Sequence, residues 1–456
     1  MSSLGSPDRP LRVAIVGAGP SGFFAAGALL KAKEMTISVD LFDKLPTPFG
    51  LVRFGVAPDH PSIRKVLKAF DVTANGPNFR FFGNVAFGDD VTLEELRRHY
   101  DQVLLTTGAA SDRKLGIDGE DLPGSYSATE FVSWYNGHPD FADRTFDLSV
   151  RDVVVVGVGN VAMDVARILA KSPDELVGTD IAQHALDALK ASKVENITIL
   201  SRRGPAQAKF TNPEVKEFGE LAIADPVVDA ADLELDPISA ASLDESKTTR
   251  RNVEILKEFS ERGAGNKARK VHFRFLYSPV ELLGDGAVRQ VKIVRNVLED
   301  TDGTLDAVPT DVFETLDCGL ILRSVGYKGV ALPDVPYNAR KGTIPNSEGR
   351  VHDNDGVAVA GLYVAGWAKR GPSGVIGTNK TCAVETVNHM LADAVLACAA
   401  PNPAPTGIVE LLQAKGVRFV SYQDWQKLDA HELAQGEAAG RPRLKLTSVE
   451  AMLALL

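Results

Sequence analysis

The strongest constraint in this chain is a pair of glycine-rich turns, each set between a short run of β-branched residues and a stretch of helical composition. The first, Gly17-Ala18-Gly19-Pro20-Ser21-Gly22, follows LRVAIV at residues 11–16 and precedes FFAAGALLK. The second, Gly157-Val158-Gly159-Asn160-Val161-Ala162, follows DVVVV at 152–156 and precedes MDVARILAK. A G-x-G-x-x-G or G-x-G-x-x-A turn between strand and helix is the fingerprint of a dinucleotide-binding α/β fold. In the first turn Gly17 permits the tight bend, Gly19 lets backbone approach a pyrophosphate, and Gly22 lets the helix pack close to the strand. The helix opening at Pro20 and Ser21 presents unpaired N–H groups and a positive dipole end to phosphate. Two such turns predict an α/β chain with two doubly wound (Rossmann-like) domains. One bound cofactor and one diffusing cosubstrate is their simplest use.

The strands downstream of the two turns distinguish the sites. SVDLFD ends at Asp43, a carboxylate suited to ribose hydroxyls, at a little more than the usual spacing of about 20 residues. FRFFGNV (79–85) and DQVLLTTGAA (101–110) read as later strands of the same sheet. The small Thr107-Gly108-Ala109 end suits a chain leaving the sheet beside a nucleotide. After the second turn, NITILS (196–201) ends in Arg202-Arg203-Gly204-Pro205. An NAD site carries an acid there; two guanidinium forks suit the 2′-phosphate of NADPH instead. Further on, LDCGLILRSVGY (316–327) reads as one more strand ending in a glycine turn, mirroring TTGA. These two segments mark where the chain enters and leaves an inserted domain.

At 456 residues the chain is too long for one core. Its three cysteines, Cys318, Cys382 and Cys398, form no Cys-x-x-Cys pair. That argues against a disulfide scaffold, a metal or iron–sulfur centre and a redox dithiol, and for buried structural thiols. No apolar run reaches the roughly 18–20 residues of a membrane span. MSSLGSPDRP lacks the regions of a secretory signal, so a cytoplasmic address is expected. A net charge of −10 makes whole-molecule attraction to nucleic acid or an anionic membrane unfavourable.

Several segments go beyond the general fold: LPTPFGLVRFGVAPDHP, SRRGPAQAKFTNPEVKE, FRFLYSPVE, LRSVGY, GWAKRGPSGVIGTNK and GRPRLKL. With the two nucleotide motifs they make the chain resemble the adrenodoxin reductase family, and within it the bacterial NADPH–ferredoxin reductases of actinobacterial type. The resemblance implies an FAD domain built from residues 1–108 and 331–456, with an NADPH domain inserted at 109–330. It implies FAD contacts from Ser21, Asp43, Leu51, Val85, Trp367 and Gly374-Val375-Ile376. It implies NADPH contacts from Arg113, Gly159-Asn160-Val161, Arg202, Arg203, Glu214 and Gly374. Phe49 and Pro213 depart locally from the family pattern; a proline is tolerated in a first helical turn.

The activity so implied is hydride transfer from NADPH to FAD, then single-electron transfer to a ferredoxin that feeds acceptors such as a cytochrome P450. Hydride transfer asks mainly for placement, with the rings stacked and reacting atoms about 3–3.5 Å apart. Gly374 would leave room for that stacking, and Trp367 would cover the flavin. His60, in APDHP, is the candidate for proton handling because its pKa lies near neutrality. Glu217, one helical turn beyond Glu214, is the second candidate. An acidic ferredoxin needs a local basic face. Lys247 to Lys270 offers one, with Arg250, Arg251, Lys267, Arg269 and Lys270 prominent. Arg64, Lys65 and Lys68 would extend it. Rival readings are an NADPH-dependent flavin monooxygenase and a non-catalytic NADPH-sensing flavoprotein. A glutamate synthase small subunit needs an N-terminal cysteine-rich region, and the first cysteine here is Cys318.

Overall fold

LRVAIV forms the strand Leu11–Val16, buried along its whole length. A strand covered by helices on both faces has no reason to alternate polar with apolar residues, hence the unbroken apolar run. The computed structural model describes residues 3–301, 304–394 and 399–456. Leu11–Val16 lies inside a seven-stranded sheet of order 346–347, 350–352, 358–364, 102–105, 11–16, 37–42, 79–82. From 358–364 to 79–82 every pairing is parallel. Both ends of the chain therefore build this sheet.

A second sheet has six strands, all parallel, in the order 125–127, 320–323, 152–156, 196–201, 269–275, 224–228. The chain is thus α/β with two doubly wound sheets. The segments connecting them meet as a small antiparallel pair, Tyr327–Lys328 against Ser111–Asp112.

One element differs from the sequence expectation. LDCGLILRSVGY is not one strand: Asp317 ends the long strand Thr304–Asp317, and Leu320–Arg323 is a separate strand of the six-stranded sheet. Thr304–Asp317 belongs to an antiparallel meander with Gln290–Thr301 and Tyr277–Leu283. The tail beyond residue 405 forms separate helices, among them Gly407–Ala414 and Tyr422–Ala438. Between them Gly416 takes a φ of 72°, and Val420 pairs with Gly83.

The tail packs on the first sheet through Tyr422, Trp425 and Leu428, in a core shared with Phe23, Phe49 and Phe70. Its GRPRLKL segment also reaches the second unit. Arg441 donates to Gln183 Oε1 at 2.8 Å and to the Thr179 and Ile181 carbonyls. Lys445 Nζ lies 3.1 Å from Asp180 Oδ2. The tail is a strap across both units. Cys318 and Cys382 are buried free thiols, burial pushing Cys318 up to about 12; Cys398 lies outside the described residues. No described helix is long and apolar enough to cross a membrane.

Candidate active site

The two glycine turns sit at the carboxyl ends of corresponding strands, where open α/β sheets bind ligands. Gly17 has φ 106°, and a Cβ there would meet the Thr106 carbonyl oxygen at 2.7 Å. Gly157 has φ 127° and would overlap the Ser324 carbonyl in the same way. A Cβ on Gly22 would collide with the Gly17 carbonyl, the close strand–helix approach the motif requires. Gly19 and Gly159 are the opposite case. Nothing lies within 4 Å of a Cβ built on either, so each opens a cradle before a helix N-terminus.

Asp43 braces the first cradle. Its Oδ2 accepts from the Ala18 N–H at 2.7 Å and its Oδ1 from the Leu45 N–H at 3.0 Å. Burial raises its carboxyl above the usual range, and those two bonds only partly offset this. Gly50, at φ 47°, carries the loop over the cradle, its absent Cβ facing the Gly19 Cα at 3.0 Å. Leu51 begins the short helix beyond and is half exposed, whereas Val85 is fully buried. Gly108 has φ 77° and open space around it. Ser21 Oγ donates to Asn379 Oδ1 at 3.1 Å, joining the first helix to Ile376–Asp393. Pro20 opens that first helix.

Gly374 is constrained by its own protein neighbours as well. At φ 80°, a Cβ there would meet Thr378 Oγ1 at 2.6 Å, so the protein's own side chain fills that volume. Val375 beside it is exposed. Trp367 stacks on Tyr327, with centroids 5.3 Å apart, and donates from Nε1 to the Ser373 carbonyl. The pair ties the late strand of the first sheet to the returning crossover.

In the second cradle Asn160 Oδ1 accepts from the Thr211 N–H at 3.0 Å, which fixes the entry to helix Asn212–Glu217. Pro213 falls in the first turn of that helix, where no N–H is required. Asn160 Nδ2 lies 3.5 Å from Glu214 Oε1. Glu214 Oε2 is buried without a partner, an orphaned acceptor that fits a ligand amide. Val161 is half-buried. Arg202 and Arg113 are exposed and Arg203 is half-buried. The guanidinium groups of Arg202 and Arg203 have no protein partner among the described residues, as an anion site demands.

His60 and Glu217, read separately in the sequence, meet across the two units. His60 Nε2 lies 3.0 Å from Glu217 Oε2 and 3.1 Å from Oε1. The Glu217 hydrogen bond raises the imidazole above its ordinary value, outweighing burial and Arg167. Burial would raise the Glu217 carboxyl, but His60 and Arg167 hold it below its usual range. Three residues of this network carry no motif in the sequence. Asp164 Oδ1 lies 3.9 Å from His60 Nδ1, and burial pushes its carboxyl up to about 6 against the pull of Arg167. Arg167, fully buried, holds Asp59 at 2.7 Å, Asp164 at 2.7 Å and Glu217 at 3.3 Å. Lys171 adds a second cation at Asp59, 2.8 Å away. The one available signal was a charged row, Asp164, Arg167 and Lys171, at helical spacing in an otherwise apolar helix. Asp59, His60 and Glu217 bring ligand-type atoms within 4.8 Å of one another, but Arg167 and Lys171 already supply that cluster's cations.

The basic stretch needs correction. Arg269 is buried and donates to the Leu169 and Lys171 carbonyls, so it presents no surface charge. Lys267 and Lys270 both pair with Asp225. Arg250 pairs with Asp244, and Arg251 with Glu254 and Glu258, though both keep exposed side chains. Arg64 is tied to Asp180 and to two carbonyls. Lys65 and Lys68 stay exposed, with no ion-pair partner among the described residues. Cationic stems long enough to cross a layer find acceptors inside it, which a count of charges does not show.

Comparison with known proteins adds the lineage. Residues 11–220 match the pyridine nucleotide-disulphide oxidoreductase family. That match covers the nucleotide-binding frame; the described cysteines form no redox pair. The chain is 45% identical over 457 residues to NADPH-ferredoxin reductase FprA of Mycobacterium tuberculosis, covering 98% of this chain and 99% of that one. It is 43% identical to the human mitochondrial NADPH:adrenodoxin oxidoreductase, over 98% and 92% of the two chains. A solved structure of M. tuberculosis FprA in complex with NADPH superposes with a TM-score of 0.92, over 98% and 99% of the chains. With both cradles, their bracing residues and near-complete coverage in agreement, the chain belongs to the adrenodoxin reductase family of NADPH–ferredoxin reductases.

Proposed function

We propose that this chain is an FAD-containing NADPH–ferredoxin reductase, with residues 109–330 forming the NADPH unit inserted into the FAD unit. The observation that carries the reading is an open dinucleotide cradle in each of two units that meet at the His60–Glu217 contact. A bound FAD would supply the step between two-electron and one-electron chemistry, hydride acceptance from NADPH and single-electron release to a partner's iron–sulfur cluster.

The chain's own residues place and neutralise. Gly19 and the helix behind it receive the FAD pyrophosphate, and Asp43 takes the ribose hydroxyls with its remaining lone pairs. Gly159 and Asn160 receive the NADPH pyrophosphate, Arg202 and Arg203 the 2′-phosphate, and Glu214 Oε2 a donor N–H of the nicotinamide amide. Trp367, on Tyr327, excludes water from the ring site. His60, whose imidazole Glu217 raises above its ordinary value, handles a proton at the boundary between the units. Leu51, Val85, Gly108, Val375, Ile376, Arg113 and Val161 complete the contacts of this reading. A cytoplasmic address belongs to it as well, supported by the NADPH such a reductase consumes.

The test is stopped-flow absorbance of the yellow protein mixed with NADPH and then with ferredoxin. Rapid bleaching followed by fast reoxidation on ferredoxin is expected. Bleaching that only oxygen reverses would overturn it in favour of a monooxygenase or a sensor. Within this reading the ferredoxin docks on the exposed Arg250 and Arg251 face, with Lys65 and Lys68 near the other unit's edge. Reversing both arginines to glutamate raises the KM for ferredoxin about tenfold at low salt and leaves that for NADPH unchanged. Equal ferredoxin kinetics in wild type and variant would move the docking face elsewhere.

A further inference from the structure

Arg202 and Arg203 project as free guanidinium groups from a turn whose carbonyls are tightly held. The Arg203 carbonyl accepts from Ser201 Oγ at 2.8 Å and from the Leu276 N–H at 3.2 Å. The Arg202 carbonyl accepts from Asn296 Nδ2 at 2.8 Å. Asn296 belongs to the antiparallel meander, at the register shift between Val294 and Asn296 in strand Gln290–Thr301. Its N–H donates to the Leu276 carbonyl at 2.7 Å and its Nδ2 also to Ser278 Oγ at 2.8 Å. Leu276 itself takes a φ of 63°, rare for a branched side chain. A strained backbone position, a bulge and a buried amide therefore converge on one turn.

Asn296 is 1% exposed. Its Oδ1 is buried without a partner. A leucine would bury more apolar surface there but would strip the Arg202 carbonyl of its donor, so packing does not account for the asparagine. Its two N–H donors do: one of them is spent on the Arg202 carbonyl. An arginine on a free turn samples many rotamers and backbone angles, and ordering it on binding costs affinity. Holding the backbone beneath both forks removes part of that cost in advance.

We infer that Asn296 is the positioning residue of the 2′-phosphate pocket: by holding the Arg202 carbonyl it sets the two guanidinium forks and so the preference for a 2′-phosphorylated nucleotide. This rests on the reading of Arg202 and Arg203 as the 2′-phosphate pair.

The experiment compares the holoenzyme with Asn296→Leu, Asn296→Ser and the Arg202→Ala/Arg203→Ala double variant. Calorimetric titration uses 2′,5′-ADP and 5′-AMP, and steady-state assays use NADPH and NADH. In wild type, 2′,5′-ADP binds more tightly than 5′-AMP, and the double variant loses that preference. In Asn296→Leu, affinity for 2′,5′-ADP falls and the KM for NADPH rises, each about tenfold, while 5′-AMP affinity and kcat hold. Asn296→Ser, which keeps a small polar group, moves the same way and carries the comparison if the leucine variant does not fold. Parallel losses for both ligands would mean general loosening of the meander and overturn the inference; so would no change at all. A wild type indifferent to the 2′-phosphate overturns the underlying reading instead, and is seen without any substitution at 296.

Discussion

At the scale of single residues, the His60–Glu217 contact makes the site answer to pH. His60 has a folded pKa above its ordinary 6.5, Glu217 being the largest cause. Its contribution to stability is therefore complete below about pH 6.5 and is lost as pH rises through the elevated folded value. Glu217→Gln removes that cause and leaves burial and Arg167, which lower the imidazole, against Asp59, which raises it. The pH limb assigned to His60 in NADPH-driven bleaching then moves down. The melting temperature falls more near pH 6 than near pH 8. Stopped flow from about pH 5.5 to about pH 8.5 checks the first, and thermal melts the second. A limb that stays in place belongs to Asp164, pushed up to about 6 beside it.

At the scale of elements, the glycines of one motif do two kinds of work, and substitution separates them. Gly22→Ala drives a methyl into the Gly17 carbonyl, so helix Pro20–Leu29 must retreat from its strand. The loss is about 2–4 kcal/mol, and the protein purifies colourless. Gly159→Ala meets no protein atom within 4 Å, at a helix N-cap. It costs about 1 kcal/mol or less in denaturant melts, yet weakens NADPH binding about tenfold or more, because the added methyl occupies the pyrophosphate's approach. A Gly159→Ala protein with unaltered NADPH affinity would place the nucleotide elsewhere. The same contrast explains what could be read in advance. Glycine turns, apolar strands and the Arg202-Arg203 pair obey local spacing rules, so the sheets and most cradle residues were legible from sequence. Asn296 was not, because its importance arises at a bulge far downstream of the turn it holds, through a non-local pairing. Asp59's partners were likewise hidden, since the helical row of Asp164, Arg167 and Lys171 marks one side of the ion network but not what it meets across the units. The closeness of Thr378 to Gly374 has no sequence signal either, since it depends on the left-handed turn between them.

At the scale of the whole molecule, the tail strap ties the two units together through a lysine in an unfavourable place. Burial pushes Lys445 down to about 7, Asp180 opposing that shift while Arg64 and Arg53 add to it. Asp180 is held down to about 2, lowered by Lys445 and Arg64 against the cost of its burial. Lys445 also donates to the Arg53 carbonyl and to Asn136 Oδ1. Between its folded value and the ordinary 10.5 the unfolded chain binds the extra proton, so Lys445 makes stability rise with pH across that window. Lys445→Met flattens this slope in urea melts taken from about pH 7 upward. A slope identical in wild type and variant would mean that the lysine is not dehydrated in the folded protein.

The seven-stranded sheet has a consequence for how the protein is made. Its strand 358–364 pairs with 102–105, although the whole six-stranded sheet, ending at 320–323, lies between them in the chain. A ribosome working from the amino terminus therefore releases every strand of the inserted unit before the surrounding one can close. The nascent chain carries a finished NADPH fold inside an open flavin fold. Flavin capture thus waits for the final quarter of translation, and a prematurely terminated chain is one that never turns yellow.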